Sequence, residues 1–128
     1  MTQVHKCRVL IVEDEAAISI LMEDMLADLG VEIVGPASRL APALQLAHEA
    51  DLDAAILDIN IGGVQSYPVA DVLLSRGIPV IFATGYGSSV LPERFKSCPI
   101  LQKPFDQHQF SQALHTALAE SPCEIEVV

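Results

Sequence analysis

The chain has 128 residues and a mass of 13.7 kDa, enough for one domain with a packed core. Apolar residues make up 51% of it, so a formal net charge of −10 does not argue for disorder. Seven Lys plus Arg against seventeen Asp plus Glu leave no electrostatic footprint for nucleic acid or an anionic membrane, and partners are expected to be proteins with basic or apolar docking faces.

Met1 to Lys6 lacks a signal-peptide apolar region, and no apolar run approaches the roughly 20 residues of a membrane span. Arg8 to Val12 reads as a first strand. Ile18, Leu21, Met22, Met25, Leu26 and Leu29 recur at i, i+3 and i+4 and predict a helix with one buried face, closed by Gly30 at its C-terminal cap. Val31 to Val34 is a second short strand, ended by Gly35-Pro36. Ser38 is placed as the cap of a second helix that turns Leu40, Leu44 and Ala47 inward, with Pro42 tolerated near the first turn. A third strand ends at Asp58, and Ile59 to Pro68 reads as a loop around Gly62-Gly63. Val69 to Arg76 predicts a short helix with Gly77 past its end, and Val80 to Ala83 a fourth strand. The fourth helical segment, Tyr86 to Pro92, is weakened by glycine and proline. Ile100-Leu101 begin or form a fifth strand, and the last helix runs from about Asp106 to Glu120, burying Phe110, Leu114, Ala117 and Leu118. Ser121 to Val128 is left as a tail.

Five strands alternating with five helical segments predict an α/β fold with a parallel sheet and right-handed crossovers. One domain is expected over 1–128, with its core at about 7–120, a tail at 121–128 and no output domain. Cys7, Cys98 and Cys123 are odd in number and lack metal spacing, as in a reduced cytoplasm, and all three are read as structural or incidental.

Polar residues fall where apolar runs stop. Val9 to Val12 leads into Glu13-Asp14-Glu15, Ala54 to Leu57 into Asp58, Pro79 to Ala83 into Thr84, and Ile100-Leu101, after one glutamine, into Lys103. Short apolar runs bounded by polar residues suit strands buried on both faces, whose carboxyl ends form the ligand crevice of an open α/β sheet. Two acids, a hydroxyl and an ammonium would converge there and suit a divalent cation together with a phosphoryl group. Carboxylates after the first strand rule against a dinucleotide or flavin, which needs glycines at that turn, but suit a hard cation. Taken singly, each residue has a bland reading: helix-dipole acids at 13–15, a turn Asp at 58, a capping Thr at 84, a solvated Lys at 103. Four together at matching strand ends do not.

Val12-Glu13-Asp14-Glu15, Leu57-Asp58-Ile59-Asn60, Ala83-Thr84-Gly85 and Lys103-Pro104-Phe105 together resemble the receiver domain of two-component response regulators, over nearly the whole chain. The resemblance implies a flavodoxin-like, doubly wound sheet of five parallel strands in the order 2-1-3-4-5, with helices on both faces. It implies that Asp58 accepts a phosphoryl group from a sensor histidine kinase or a histidine phosphotransfer protein. Asp14 would ligate Mg²⁺ directly, Glu13 would act through water, and Asp58 and the Asn60 backbone carbonyl would complete the protein's share. Thr84 and Lys103 would bind the phosphoryl oxygens, and a cis peptide is implied at Lys103-Pro104. The family's usual switch aromatic falls on Ile100, and Phe82-Ala83-Thr84-Gly85-Tyr86 looks instead like an atypical subfamily with a Phe-Ala-Thr-Gly-x-Tyr-like signature. That subfamily is found mainly among alphaproteobacteria, often as stand-alone receivers. Thr84, Tyr86 and Ile100 are therefore the switch candidates, with the segment from Gly85 to Pro92.

The leading expectation is a cytoplasmic signalling relay, not an enzyme beyond its own phosphorylation and dephosphorylation, that acts by protein contact or as a phosphoryl shuttle or sink. Its oligomeric state stays open. A phosphohydrolase with an aspartyl-phosphate intermediate is the second reading, disfavoured because Asn60 stands where such enzymes carry an acid-base Asp. A binding module independent of phosphorylation is the third, and the complete residue set argues against it.

Overall fold

The computed structural model describes residues 5–85 and 91–124. Five strands form the central sheet: β1 (Arg8–Val12), β2 (Glu32–Ala37), β3 (Ala54–Asp58), β4 (Val80–Thr84) and β5 (Ile100–Gln102). They pair in the order β2-β1-β3-β4-β5, every pair parallel. Each inner strand is apolar apart from one polar residue at an end (Arg8, Asp58 or Thr84), because both of its faces are covered. Val9, Ile11, Ile56, Ile81 and Leu101 point to one face, where α1 (Ala16–Asp28) and α4 (Gln107–Ala117) bury Met22, Leu26, Phe110 and Leu114 against them. Leu10, Val12, Leu57, Val80 and Phe82 point to the other, under α2 (Leu40–Glu49), α3 (Tyr67–Ser75) and a 3₁₀ turn at Glu93–Phe95. Consecutive residues of one strand thus feed two different cores.

The termini of the elements follow local chemistry. Gly30 closes α1 at φ 70° and Gly77 follows α3 at φ 74°, a left-handed conformation that costs glycine little. Asp106 caps α4 in a reciprocal box: it accepts from the Gln109 amide at 2.8 Å, and the Gln109 side chain accepts from the Asp106 amide at 2.9 Å. Lys103-Pro104 is cis, as the resemblance implied, and so is Gly35-Pro36.

Several details differ from the sequence reading. Four α-helices are present among the described residues; the expected fourth helical segment, Tyr86 to Pro92, lies mostly outside them, and the chain next forms a three-residue 3₁₀ turn at Glu93–Phe95. Leu21, expected on the buried face of α1, is 41% exposed beside Ile20 at 58%, because the buried stripe is Ser19, Met22, Met25 and Leu26 and Leu21 lies past its edge. Ser38 does not cap α2; Arg39 holds that position without a side-chain bond. Strand β2 runs on through Gly35-Pro36 to Ala37, with a register shift between Leu10 and Val12 of its partner. The loop after Asp58 holds a small antiparallel hairpin, Asn60–Ile61 with Val64–Gln65, turned by Gly62 and Gly63.

The cysteine reading also changes. Cys7 and Cys123 form a disulfide across a sequence separation of 116, and only Cys98 is free. The parallel pairing of Cys123–Glu124 with His5–Lys6 brings the two together, a meeting that sequence spacing does not signal. Part of the tail is therefore fastened to the domain.

Candidate functional site

The carboxyl edge of the sheet collects the polar residues that end its strands. Glu13 follows β1 with its side chain fully enclosed, and its amide donates to the Ala37 carbonyl at 3.0 Å. Its Oε1 accepts from Lys103 Nζ at 2.8 Å, and the same ammonium reaches Asp58 Oδ2 at 3.2 Å. Asp14 is exposed and accepts from the Gly62 amide at 2.9 Å, which draws the hairpin onto the site. Glu13, Asp14 and Asp58 each offer a carboxylate oxygen, all within 4.8 Å of one another. Three carboxylates and one ammonium thus share one small volume.

That crowding shows in the ionisation of the group. Burial pushes the Glu13 carboxyl up from its usual 4.5 to about 7, against the hydrogen bond from Lys103, and the neighbouring Asp58 adds to the rise. For Lys103, burial would lower the ammonium, but Glu13 and Asp58 outweigh it and the net direction is upward. The two directions compete, since charged carboxylates raise the lysine while the glutamate moves toward its neutral form. Lys103 stays protonated, because its ordinary value of 10.5 is moved further up. A hard divalent cation fits this set: the donors are all oxygens, and the one ammonium shared by Glu13 and Asp58 does not offset the burial of the Glu13 carboxyl.

The other expected residues fall around this cluster. Thr84 ends β4 buried, and its carbonyl accepts from the Lys103 amide at 2.8 Å, which ties the ends of β4 and β5 together. Asn60 is exposed at the start of the hairpin, and its amide donates to Asp58 Oδ1 at 3.3 Å. Ile100 is half-buried, paired in register with Phe82, and belongs to the α2 and α3 side of the core. Tyr86 lies outside the described residues. An open cleft of about 380 Å³ beside the acids is lined by Glu13, Asp14, Ser19, Ile20, Glu23 and Ser38. A larger hollow of about 740 Å³ lies at the opposite edge of the sheet, where no such cluster converges among the described residues, so size is a poor guide to the chemistry.

Sequence reasoning missed Ser66. Its side chain is fully buried, and its hydroxyl donates to the Asp58 backbone carbonyl at 2.6 Å instead of capping α3. The only signal was a serine just before a helical pattern, which points to a cap. Gly62, as donor to Asp14, left no signal beyond a turn.

A doubly wound parallel sheet that gathers an acid triad and a lysine at its carboxyl edge defines a receiver of two-component signalling. The chain belongs to the response regulator receiver domain family, whose profile matches residues 9–115. It is 32% identical over 116 residues to the transcriptional regulatory protein PdtaR of Mycobacterium tuberculosis, covering 88% of this chain and 57% of the relative. It is 32% identical over 114 residues to the phyllosphere-induced regulator PhyR of Methylorubrum extorquens, covering 86% and 43%. The chain thus spans about half the length of these curated relatives. Among solved structures, SdrG from Sphingomonas melonis Fr1 is similar at 42% identity and a TM-score of 0.78, covering 93% of this chain and 99% of that one. The receiver domain of PhyR from Erythrobacter litoralis is similar at 27% identity and a TM-score of 0.80, covering 91% and 92%.

Proposed function

We propose that this chain accepts a phosphoryl group on Asp58 from a sensor histidine kinase or a histidine phosphotransfer protein and relays the signal by protein contact or by onward transfer. The observation that carries the reading is the Asp58 carboxylate itself. One oxygen contacts the Lys103 ammonium, and the side chain stands within reach of Glu13 and Asp14. In this reading an Asp58 oxygen attacks phosphorus, the P–N bond to the donor imidazole breaks, and the imidazole leaves with the bonding electrons. Lys103 and the Thr84 hydroxyl would bind the phosphoryl oxygens, with the ammonium meeting developing charge.

Glu13, Asp14, Asp58 and the Asn60 carbonyl would hold Mg²⁺. Once bound, that cation supplies the positive charge that lets a phosphoryl group approach three carboxylates. The Ser66 bond to the Asp58 carbonyl and the Asn60 amide on its side chain orient the acceptor before any donor arrives. Exposed Ile20 and Leu21 on α1, the former lining the acid cleft, offer a donor protein an apolar surface. A structure described as the BeF3-activated conformation of SdrG, 39% identical to this chain, supports the same chemistry here. On this reading the chain works in the cytoplasm and turns over no substrate beyond its own aspartyl phosphate.

With Mg²⁺ and a small phosphodonor the protein should gain one acid-labile phosphoryl group, and Asp58→Ala should gain none, as intact-mass spectrometry reads directly. Label that persists in Asp58→Ala, or a wild type that takes none, would sink the assignment.

A further inference from the structure

One aromatic cluster connects the phosphoacceptor to the segment beyond β4. Tyr67 is the first residue of α3, directly after the Ser66 that bonds the Asp58 carbonyl at 2.6 Å. The Ser66 amide also donates to the Ile59 carbonyl at 2.8 Å, so the start of α3 is fixed to Asp58 and to the residue that follows it. The Tyr67 ring meets Phe82 edge-on at 6.2 Å between centroids and Phe95 at 5.4 Å, and those two lie 5.3 Å apart. Phe82 precedes Thr84 by two residues on β4, and Phe95 ends the 3₁₀ turn. Phe82 and Phe95 are fully buried, and Tyr67, next to the Ser66 anchor, is half-buried.

The far side of the cluster is fastened as well. The Arg94 guanidinium lies 4.4 Å from the centre of the Phe95 ring and makes two bonds to Asp71 of α3, at 3.0 and 3.1 Å. The 3₁₀ turn is therefore held to α3 by rings on the inside and by an ion pair outside. Rings in edge and tilted contact have directional preferences, so a shift of one member changes the fit of the other two. The ends of β3 and β4, where a phosphoryl group would be read, both border this cluster.

We propose that Tyr67 is a positioning residue that carries the phosphoryl state of Asp58 to the Glu93–Phe95 turn through its contacts with Phe82 and Phe95. The proposal rests on the phosphoacceptor reading above. When the Asp58 side chain is modified and Thr84 engages the phosphoryl oxygens, β4 and the Ser66 anchor shift together. The Tyr67 ring is the group that touches both consequences. Its reorientation re-sets Phe95, and with it the turn that Arg94 and Asp71 clamp. Coupling of this kind needs an element with two arrangements that both sites bias, and the triad with its turn is that element.

The test is NMR of the full chain with Mg²⁺ and beryllofluoride, comparing wild type, Tyr67→Leu and Tyr67→Phe. In wild type the Tyr67, Phe82 and Phe95 ring signals and the Arg94 and Phe95 amides should shift with the amides of Asp14, Asp58 and Thr84. Tyr67→Leu should keep the response at Asp14 and Asp58 but lose about half or more of it at Arg94 and Phe95, and Tyr67→Phe should restore it. A purely structural tyrosine would lower stability without separating these two responses. Full response of Arg94 and Phe95 in Tyr67→Leu overturns the coupling. Should Tyr67→Leu fail to fold, wild type decides: ring signals that stay fixed while the acids respond overturn the coupling alone, and rings that move with the acids support it. A wild type with no response anywhere overturns the phosphoacceptor reading and this inference with it.

Discussion

Glu13 shows how a single side chain can report on the whole site. Its carboxyl, enclosed by the sheet edge, is raised from 4.5 to about 7, chiefly by burial. A raised acid means that the folded protein holds more protons than the unfolded chain between those values. In metal-free protein the favourable contribution is complete below about pH 4.5 and is lost as pH rises through about 7. Urea unfolding in a chelating buffer should therefore show wild type losing stability across that window relative to Glu13→Gln. Saturating Mg²⁺ should remove the difference in slope, since binding needs the ionised form and favours the folded state. Equal slopes for the two proteins without metal would contradict the burial of this charge. Asp14, Asp58 and Lys103 were legible because each stands at or one residue past the end of an apolar run, where an unpaired charge would be costly. Ser66 was not, because its hydroxyl serves a carbonyl eight residues away and its position imitates a helix cap.

At the scale of elements, the three inner strands were legible because two-sided burial leaves an apolar run in sequence, and the edge strands β2 and β5 left shorter ones. The boundaries that moved are those decided by tertiary contact. Strand β2 was expected to stop before Gly35, yet it crosses that residue and pairs Ala37 with Val12. The crossing depends on a residue without a side chain: Gly35 sits at φ 91°, and a Cβ there would lie 2.9 Å from the Ala37 nitrogen and 3.0 Å from the Ile11 carbonyl oxygen. Neither atom can yield without disturbing the ladder. Gly35→Ala should cost about 1–3 kcal/mol from the backbone conformation alone, and more from the contacts. Because Ala37 also receives the Glu13 amide, the damage should reach the acid site. The measurement is a denaturant midpoint together with Mg²⁺ affinity. A variant as stable as wild type would mean that this crossing is not held as described.

At the scale of the molecule, the acid cluster occupies one edge of the sheet and a covalent closure occupies the other. Asp53, just ahead of β3, accepts from the Arg8 amide at 2.8 Å and from Ser121 Oγ at 3.2 Å, and lies 3.2 Å from His5 Nε2. It gathers the start of β1, the segment before Cys123 and the N-terminal strand at one carboxylate. The Cys7–Cys123 disulfide lies among these contacts and links the two ends of the described chain. The sequence reading ended the core at about residue 120, with a tail beyond it, because short polar segments such as Ser121-Pro122 carry no periodic pattern. What fastens them, a disulfide and a shared carboxylate, has no period to detect. A crosslink closing a loop of this length removes denatured-state entropy on the order of 4–5 kcal/mol in the chain-entropy treatment, and native strain commonly reduces the yield. Under oxidising conditions Cys123→Ser should therefore lower unfolding stability by about 2–5 kcal/mol, while a dithiol reductant should bring wild type down to the variant. Beryllofluoride and Mg²⁺ binding at the distant acid edge should not change in either case. If oxidised wild type and Cys123→Ser unfold at the same denaturant concentration, the closure contributes nothing and the hydrogen bonds to Asp53 alone hold that edge.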